Sequence, residues 1–203
     1  MLFRSKERYA EIAEFIRNTR GSLSFLIDVT YVTAGIRVRE VTFPVVRMPW
    51  VSGLTLNEWV DDHLDTPGVL HTVRHQIQDA VAKMHREGAA HGDLQHGNIL
   101  VDSRNSIHLV DYDGMFLPPL RHLGAAESGH RNYQHPDRGN SYDQRLDTFA
   151  AFVIDLSLNA IAHDRTLWKE FNTGENLLFS VEDYTNPERS SVQIGRASCR
   201  ERV

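Results

Sequence analysis

The stretch His91-Gly92-Asp93-Leu94-Gln95-His96-Gly97-Asn98-Ile99-Leu100-Val101 sets a carboxylate and a carboxamide five positions apart on one short, glycine-bearing loop. The apolar Ile99-Leu100-Val101 that closes it can anchor the loop in a sheet. Thirteen positions beyond Asn98, after the strand-like Ile107-His108-Leu109-Val110, stands Asp111 in Asp111-Tyr112-Asp113-Gly114. Asp and Asn cap turns well, and capping alone would account for a lone loop of this kind. The spacing of all three supports more. An Asp that orients and deprotonates a hydroxyl, with an Asn and a second Asp that hold magnesium on a nucleotide's phosphates, are the parts that phosphoryl transfer requires.

Together the two motifs resemble the catalytic loop and metal-binding motif of the protein kinase-like superfamily, His-x-Asp-x-x-x-x-Asn followed by Asp-Phe-Gly. The resemblance implies an α+β, two-lobe fold that uses ATP and Mg2+. Asp93 is then the catalytic base, Asn98 and Asp111 bind magnesium and through it the nucleotide, and His91 braces the metal loop. The implied reaction is transfer to Ser or Thr hydroxyls of a protein substrate. Two departures qualify it. Gln95 stands where protein Ser/Thr kinases usually carry a Lys that touches the transferred phosphate. Gly92 replaces the Arg that reads an activation-loop phosphate, so loop phosphorylation is not the expected switch. His91-Gly92-Asp93 is also similar to the loop of aminoglycoside and choline phosphotransferases. A small-molecule phosphotransferase is therefore the alternative, and a pseudokinase scaffold is a third reading that the intact Asp93, Asn98 and Asp111 oppose.

The flanking chain continues the resemblance. Tyr133-Gln134-His135-Pro136-Asp137 is similar to the Ala-Pro-Glu segment that ends an activation loop, which gives Pro136 and Asp137 a structural role. Asp147 opens the apolar Thr148-Phe149-Ala150-Ala151-Phe152-Val153-Ile154, similar to the buried helix whose first Asp holds the catalytic loop's backbone. Upstream, Leu70, Val73, Ile77, Val81 and Met84 recur at helical spacing, and Gly88 can end that helix in a left-handed conformation. Pro44-Val45-Val46-Arg47-Met48 reads as a strand, and residues 49–53 as the hinge. There the resemblance assigns adenine contacts to the C=O of Pro49, which proline keeps, and the N–H of Val51. Thr55 and Glu58 are spaced as a capping box for the next helix. Phe25-Leu26-Ile27-Asp28-Val29-Thr30-Tyr31 and Ile36-Arg37-Val38 read as strands. A helix begins near Ser5, a candidate cap, and offers Glu11 or Glu14 as the family's helix Glu.

The glycine-rich loop and strand Lys of a complete kinase are not found: no Gly precedes Gly21, and the only Lys before the hinge is Lys6. The expected organisation is a partial N-lobe and hinge over 1–51, made of a helix and antiparallel strands. A mostly helical C-lobe, incomplete at its end, covers 52–193. Such a fragment should transfer little phosphate by itself. Residues 194–203 have no apolar period, and they back-translate codon for codon to a common sequencing adapter. They are expected to be a non-native tail and are excluded from the fold.

Net charge is −5, and the tail's three Arg and one Glu contribute +2, so the rest carries −7. No basic surplus points to nucleic acid or an anionic membrane. The only cysteine, Cys199, lies in the tail. The remainder therefore lacks disulfides and zinc-cysteine sites, as a cytoplasmic protein would. No apolar run approaches a membrane span.

A segment with no apolar face to bury adds nothing to a core. Deleting residues 194–203 should leave the melting temperature unchanged and end any disulfide-linked dimer through Cys199. A fall of several degrees in thermal denaturation would show that the tail packs.

Overall fold

The computed structural model describes residues 2–192. The tail 194–203 lies outside them. The architecture is α+β: helices joined to two small antiparallel sheets. Helix α1 spans Leu2–Thr19 and buries Tyr9, Ile12, Ala13 and Ile16, the i, i+3, i+4, i+7 stripe of an amphipathic helix. It starts before Ser5, so Ser5 lies inside the helix and does not cap it. Strands β1 (Thr30–Val38) and β2 (Val41–Arg47) pair as a hairpin.

The strand expected to begin at Phe25 begins at Thr30. The earlier residues are used otherwise. Leu26 bridges Leu109 in parallel, Leu109 N–H donates to Phe25 O at 2.9 Å, and Ile27 N–H donates to the Tyr112 hydroxyl at 2.7 Å. Backbone groups held by those partners cannot also form a ladder with β2.

The second sheet orders β3 (Gly53–Thr55), β4 (Ile99–Asp102) and β5 (Ile107–Leu109) with β4 in the middle. Thr55 ends β3 and caps α2 (Leu56–His63), with its N–H donating to Glu58 Oε2 at 3.0 Å in the expected capping box. Helix α3 spans Pro67–Arg86 and buries Leu70, Val73, Ile77, Ala80 and Met84, the stripe read from the sequence except that Val81 is only half-buried. It packs on α4 (Asp147–His163), which is buried along most of its circumference but leaves Phe152 exposed. Arg74 of α3 reaches Asp155 of α4 with both ends of its fork, Nε to Oδ1 at 2.5 Å and Nη2 to Oδ2 at 3.2 Å. Two short helices, α5 (Thr166–Phe171) and α6 (Val181–Thr185), follow. Among the described residues no helix is long and apolar enough to cross a membrane.

The β4–β5 hairpin positions the candidate site. Asp102 Oδ1 accepts the N–H groups of Arg104 and Ser106 at 2.8 and 2.9 Å and so tightens its turn. Gln76 of α3 holds the same turn from below, donating to Asn105 O at 2.7 Å and accepting from Ile107 N–H at 3.2 Å. The register Ile99↔Leu109 follows, and Val110 N–H donates to Asn98 O at 3.1 Å, which leaves Asp111 one residue beyond that pairing.

Gly88 stops α3 at φ 71°, one residue before the chain turns into the site. A Cβ there would meet only ordinary contacts, the nearest 3.5 Å away. The cost of Gly88→Ala is therefore the left-handed backbone itself, about 1 kcal/mol. Chemical denaturation should show that loss with an unchanged m-value.

Candidate active site

Four pieces of backbone meet around residues 91–93. The carboxylate of Asp147, at the start of α4, is buried and accepts two catalytic-loop amides, His91 N–H at 2.6 Å and Gly92 N–H at 2.8 Å. Burial raises its pKa, and the nearby His91 and the two donors oppose that rise. His91 is itself fully buried, with Nε2 2.9 Å from Val110 O. A carbonyl only accepts, so Nε2 carries the proton. The ring thus ties the start of the catalytic loop to the residue before Asp111. Val110 N–H completes the tie by donating to Asn98 O at 3.1 Å, and Ala90 and Phe116 exchange a backbone pair at 3.1 and 2.9 Å.

Asp93 is half-buried, and each of its oxygens has a donor. Asn98 Nδ2 donates to Oδ2 at 3.0 Å and to Asp93 O at 2.9 Å, while His130 N–H donates to Oδ1 at 2.6 Å. With its nitrogen engaged this way, Asn98 keeps Oδ1 without a protein partner among the described residues. Asp111 takes φ 66°, a left-handed conformation that Asp tolerates better than most residues and that turns its side chain out of the strand direction. A carboxamide oxygen and a carboxylate are donor types that a hard cation accepts alongside water and phosphate oxygens. Among the described residues no group of three or more His, Cys, Asp or Glu side chains forms a closed metal cage.

The need for glycine at position 92 is steric. At φ 83°, a Cβ would stand 2.0 Å from Gly114 O and 2.6 Å from Gly114 C. The loops that carry Gly92 and Gly114 touch backbone to backbone, and no side chain fits between them.

Other expected residues lie differently. Gln95 turns its Oε1 onto Gly97 N–H at 2.7 Å and caps the short 3-10 turn His96–Asn98, so that oxygen is engaged on its own loop. Pro49 is exposed and Val51 half-buried, and neither the Pro49 C=O nor the Val51 N–H has a hydrogen bond within the described residues. Pro136 and Asp137 are exposed, and the Asp137 carboxylate makes no ion pair among the described residues. That segment is anchored instead by buried Asn132 and Tyr133. Asn132 donates to Glu175 O at 2.9 Å and accepts from Val181 N–H at 3.0 Å, and the Tyr133 hydroxyl meets His96 Nδ1 at 2.7 Å. His96 Nε2 faces Gly174 O at 3.1 Å, so that nitrogen carries a proton. Burial, then the neighbouring His130, lower its pKa. Glu14 is exposed and Glu11 half-buried.

Four residues near the site carry no signal in the sequence. Arg8 is buried and donates to Met115 O at 3.3 Å, the Tyr142 hydroxyl at 2.8 Å and Gly124 O at 2.8 Å. The Tyr9 hydroxyl donates to Asp113 Oδ1, so Asp113 ties its loop to α1. Glu127 lies near Gly114; partial burial and then the charges of Asp93, Asp111 and Asp113 raise its pKa. Arg138 is the cation among these carboxylates: burial lowers its pKa, against the pull of Asp147, Asp93 and Glu127. Each depends on contacts across tens of residues, which no local pattern encodes.

No known family profile matches the chain. A 3-deoxy-D-manno-octulosonic acid kinase from Vibrio parahaemolyticus is 29% identical over 106 residues, 47% of this chain and 43% of its own length. The chain thus spans less than half of that relative. The likeness points to a kinase-like family and a phosphotransferase. It lends no support to a protein substrate, since the relative is named for a sugar acid.

The buried Asp147 carboxylate allows a direct check. Asp147→Ala orphans two buried amides at roughly 1–3 kcal/mol each, so a loss of about 3 kcal/mol is expected in chemical denaturation. Asp147→Asn, which keeps one acceptor, should lose less. A loss of about 1 kcal/mol would be that of an ordinary exposed helix cap.

Proposed function

We propose that this chain carries the catalytic half of an ATP- and magnesium-dependent phosphotransferase whose acceptor is a hydroxyl of a small molecule. The observation that carries the reading is the convergence of three groups. Asp93 is oriented by a donor on each oxygen, Asn98 has its oxygen unengaged, and the exposed Asp111 stands at positive φ next to Val110, whose N–H donates to Asn98 O. Asp93 is the base that takes the acceptor's proton as its oxygen attacks the γ-phosphorus and the bond to the β-phosphate's bridging oxygen breaks. Asn98 and Asp111 would hold the magnesium ion, which would neutralise phosphate charge. His91 positions Asp111 through Val110 O. The free Pro49 C=O and Val51 N–H supply the acceptor and donor that an adenine edge uses.

On this reading residues 1–51 are a partial N-lobe with its hinge and 52–193 an incomplete C-lobe. Two observations favour a small-molecule acceptor over a protein. Gln95, in place of the protein kinases' Lys, is folded back onto Gly97, and the similar kinase is named for a sugar acid. Transfer to a Ser or Thr side chain remains the second reading, and a panel of sugar acids, amino alcohols and peptides separates them.

Calorimetric titration with magnesium-ATP tests the site without depending on turnover. Asp111→Asn keeps the backbone conformation yet removes the charge, and should weaken binding roughly tenfold or more. Asp93→Asn should bind as the parent does, because the base acts on the acceptor. Normal binding by Asp111→Asn with loss in Asp113→Asn would move the metal motif by two residues and overturn the proposal.

A further inference from the structure

The backbone around Asp93 is held from a second direction that the catalytic and metal loops do not supply. Arg138 is half-buried, and its Nη1 faces Gly92 O at 3.4 Å, Ser128 O at 2.5 Å and Gln134 Oε1. One carbonyl belongs to the catalytic loop, immediately before Asp93. The other belongs to the segment 128–130, which lays the His130 N–H on Asp93 Oδ1 at 2.6 Å. The fit is close. Gly129 takes φ 73°, and a Cβ there would stand 2.9 Å from Asp93 Oδ1, 3.1 Å from Gly92 O and 2.6 Å from Gln134 Nε2. The carboxylate of Asp93 is therefore gripped between Asn98 on one oxygen and a segment fastened by Arg138 on the other.

We infer that Arg138 is a positioning residue for Asp93, bridging the catalytic loop and the segment 128–130 so that the carboxylate keeps one orientation toward the acceptor. The inference rests on the reading of Asp93 as the base. Sterics explain why the guanidinium arrives from position 138. Residue 92 has no room for any side chain against Gly114, so a cation bracing this loop must come from elsewhere in the chain. Arg138 comes from a stretch whose start is fixed in the core by Asn132 and Tyr133. All three contacts fall on one nitrogen, Nη1, so the bridge depends on the reach and the charge of the long side chain that carries it to this point.

The readout is the amide of His130 in the purified chain, followed by 15N–1H NMR and hydrogen exchange. A donor at 2.6 Å from a carboxylate should resonate downfield and exchange slowly. In Arg138→Gln that downfield position should be lost and exchange should quicken about tenfold or more relative to the interior amides of α3, a ratio that cancels any global loss of stability. Arg138→Lys, keeping the charge on a shorter side chain that reaches the two carbonyls less well, should recover part of both. Gly129→Ala, which wedges the segment off Asp93, should reproduce the loss by another route. A His130 amide unchanged in Arg138→Gln overturns the inference, as does a lysine variant no better than the glutamine one. Should Arg138→Gln fail to fold, the lysine variant decides: an intermediate amide supports the bridge, and one identical to the parent overturns it. Absence of magnesium-ATP binding in calorimetry would overturn the transferase proposal and leave the Arg138 contact to be judged by this amide.

Discussion

The buried carboxylate of Asp147 is the contact from which the rest of the site is built. Two consecutive backbone amides, those of His91 and Gly92, converge on its two oxygens. A charged acceptor for two buried donors is among the stronger arrangements a protein interior offers, and losing it would leave both donors unpaired in a place water does not reach. Because Asp147 opens α4, the most apolar helix, the loop that starts at His91 inherits the rigidity of the core. The loop has little regular structure of its own beyond one 3-10 turn, so its shape is imposed by this anchor, by the His91 ring on Val110 and by the β4–β5 register.

A second constraint follows from how closely two loops approach. With the Cβ position of residue 92 only 2.0 Å from Gly114 O, the catalytic and metal loops share a backbone–backbone surface. That contact sets the separation of Asp93 from Asp111 as surely as any side chain would. It also leaves the loop without the side chain that a residue other than glycine would contribute, and the surrounding bonds come from farther off. Arg8 and Tyr9 reach in from α1 to Met115 and Asp113, and Arg138 reaches in from the segment beyond residue 130 to Gly92 O.

The charge pattern around this framework is lopsided. Burial, and then the charges of Asp93, Asp111 and Asp113, raise the Glu127 pKa, with Arg138 opposing them. An arrangement of that sign suits a ligand that brings its own positive charge, as magnesium does with a nucleotide. The same imbalance gives Arg138 an electrostatic place in the site as well as a geometric one.

By itself the sequence determined the local elements on which the candidate residues sit. The five-residue spacing of Asp93 and Asn98, the capping box at Thr55 and Glu58, the apolar stripe of α3 with its terminal Gly88, and the apolar run after Asp147 are all local patterns. Local patterns are legible because helical periodicity, capping and glycine's backbone freedom act over a few residues. The start of β1 departs from its local pattern for the complementary reason: residues 25–27 are strand-like, yet their backbone groups are taken by β5 and by the Tyr112 hydroxyl, partners more than eighty residues away. Only the tertiary structure decided that Gln95 folds onto its own loop, that Asp137 is left at the surface while Asn132 and Tyr133 anchor its segment, and that Gly92 is required by Gly114. It also decided that Arg8, Tyr9, Glu127 and Arg138 surround the site. Those outcomes depend on which distant groups compete for each donor, acceptor and ångström of space, and such competition exists only once the chain has folded.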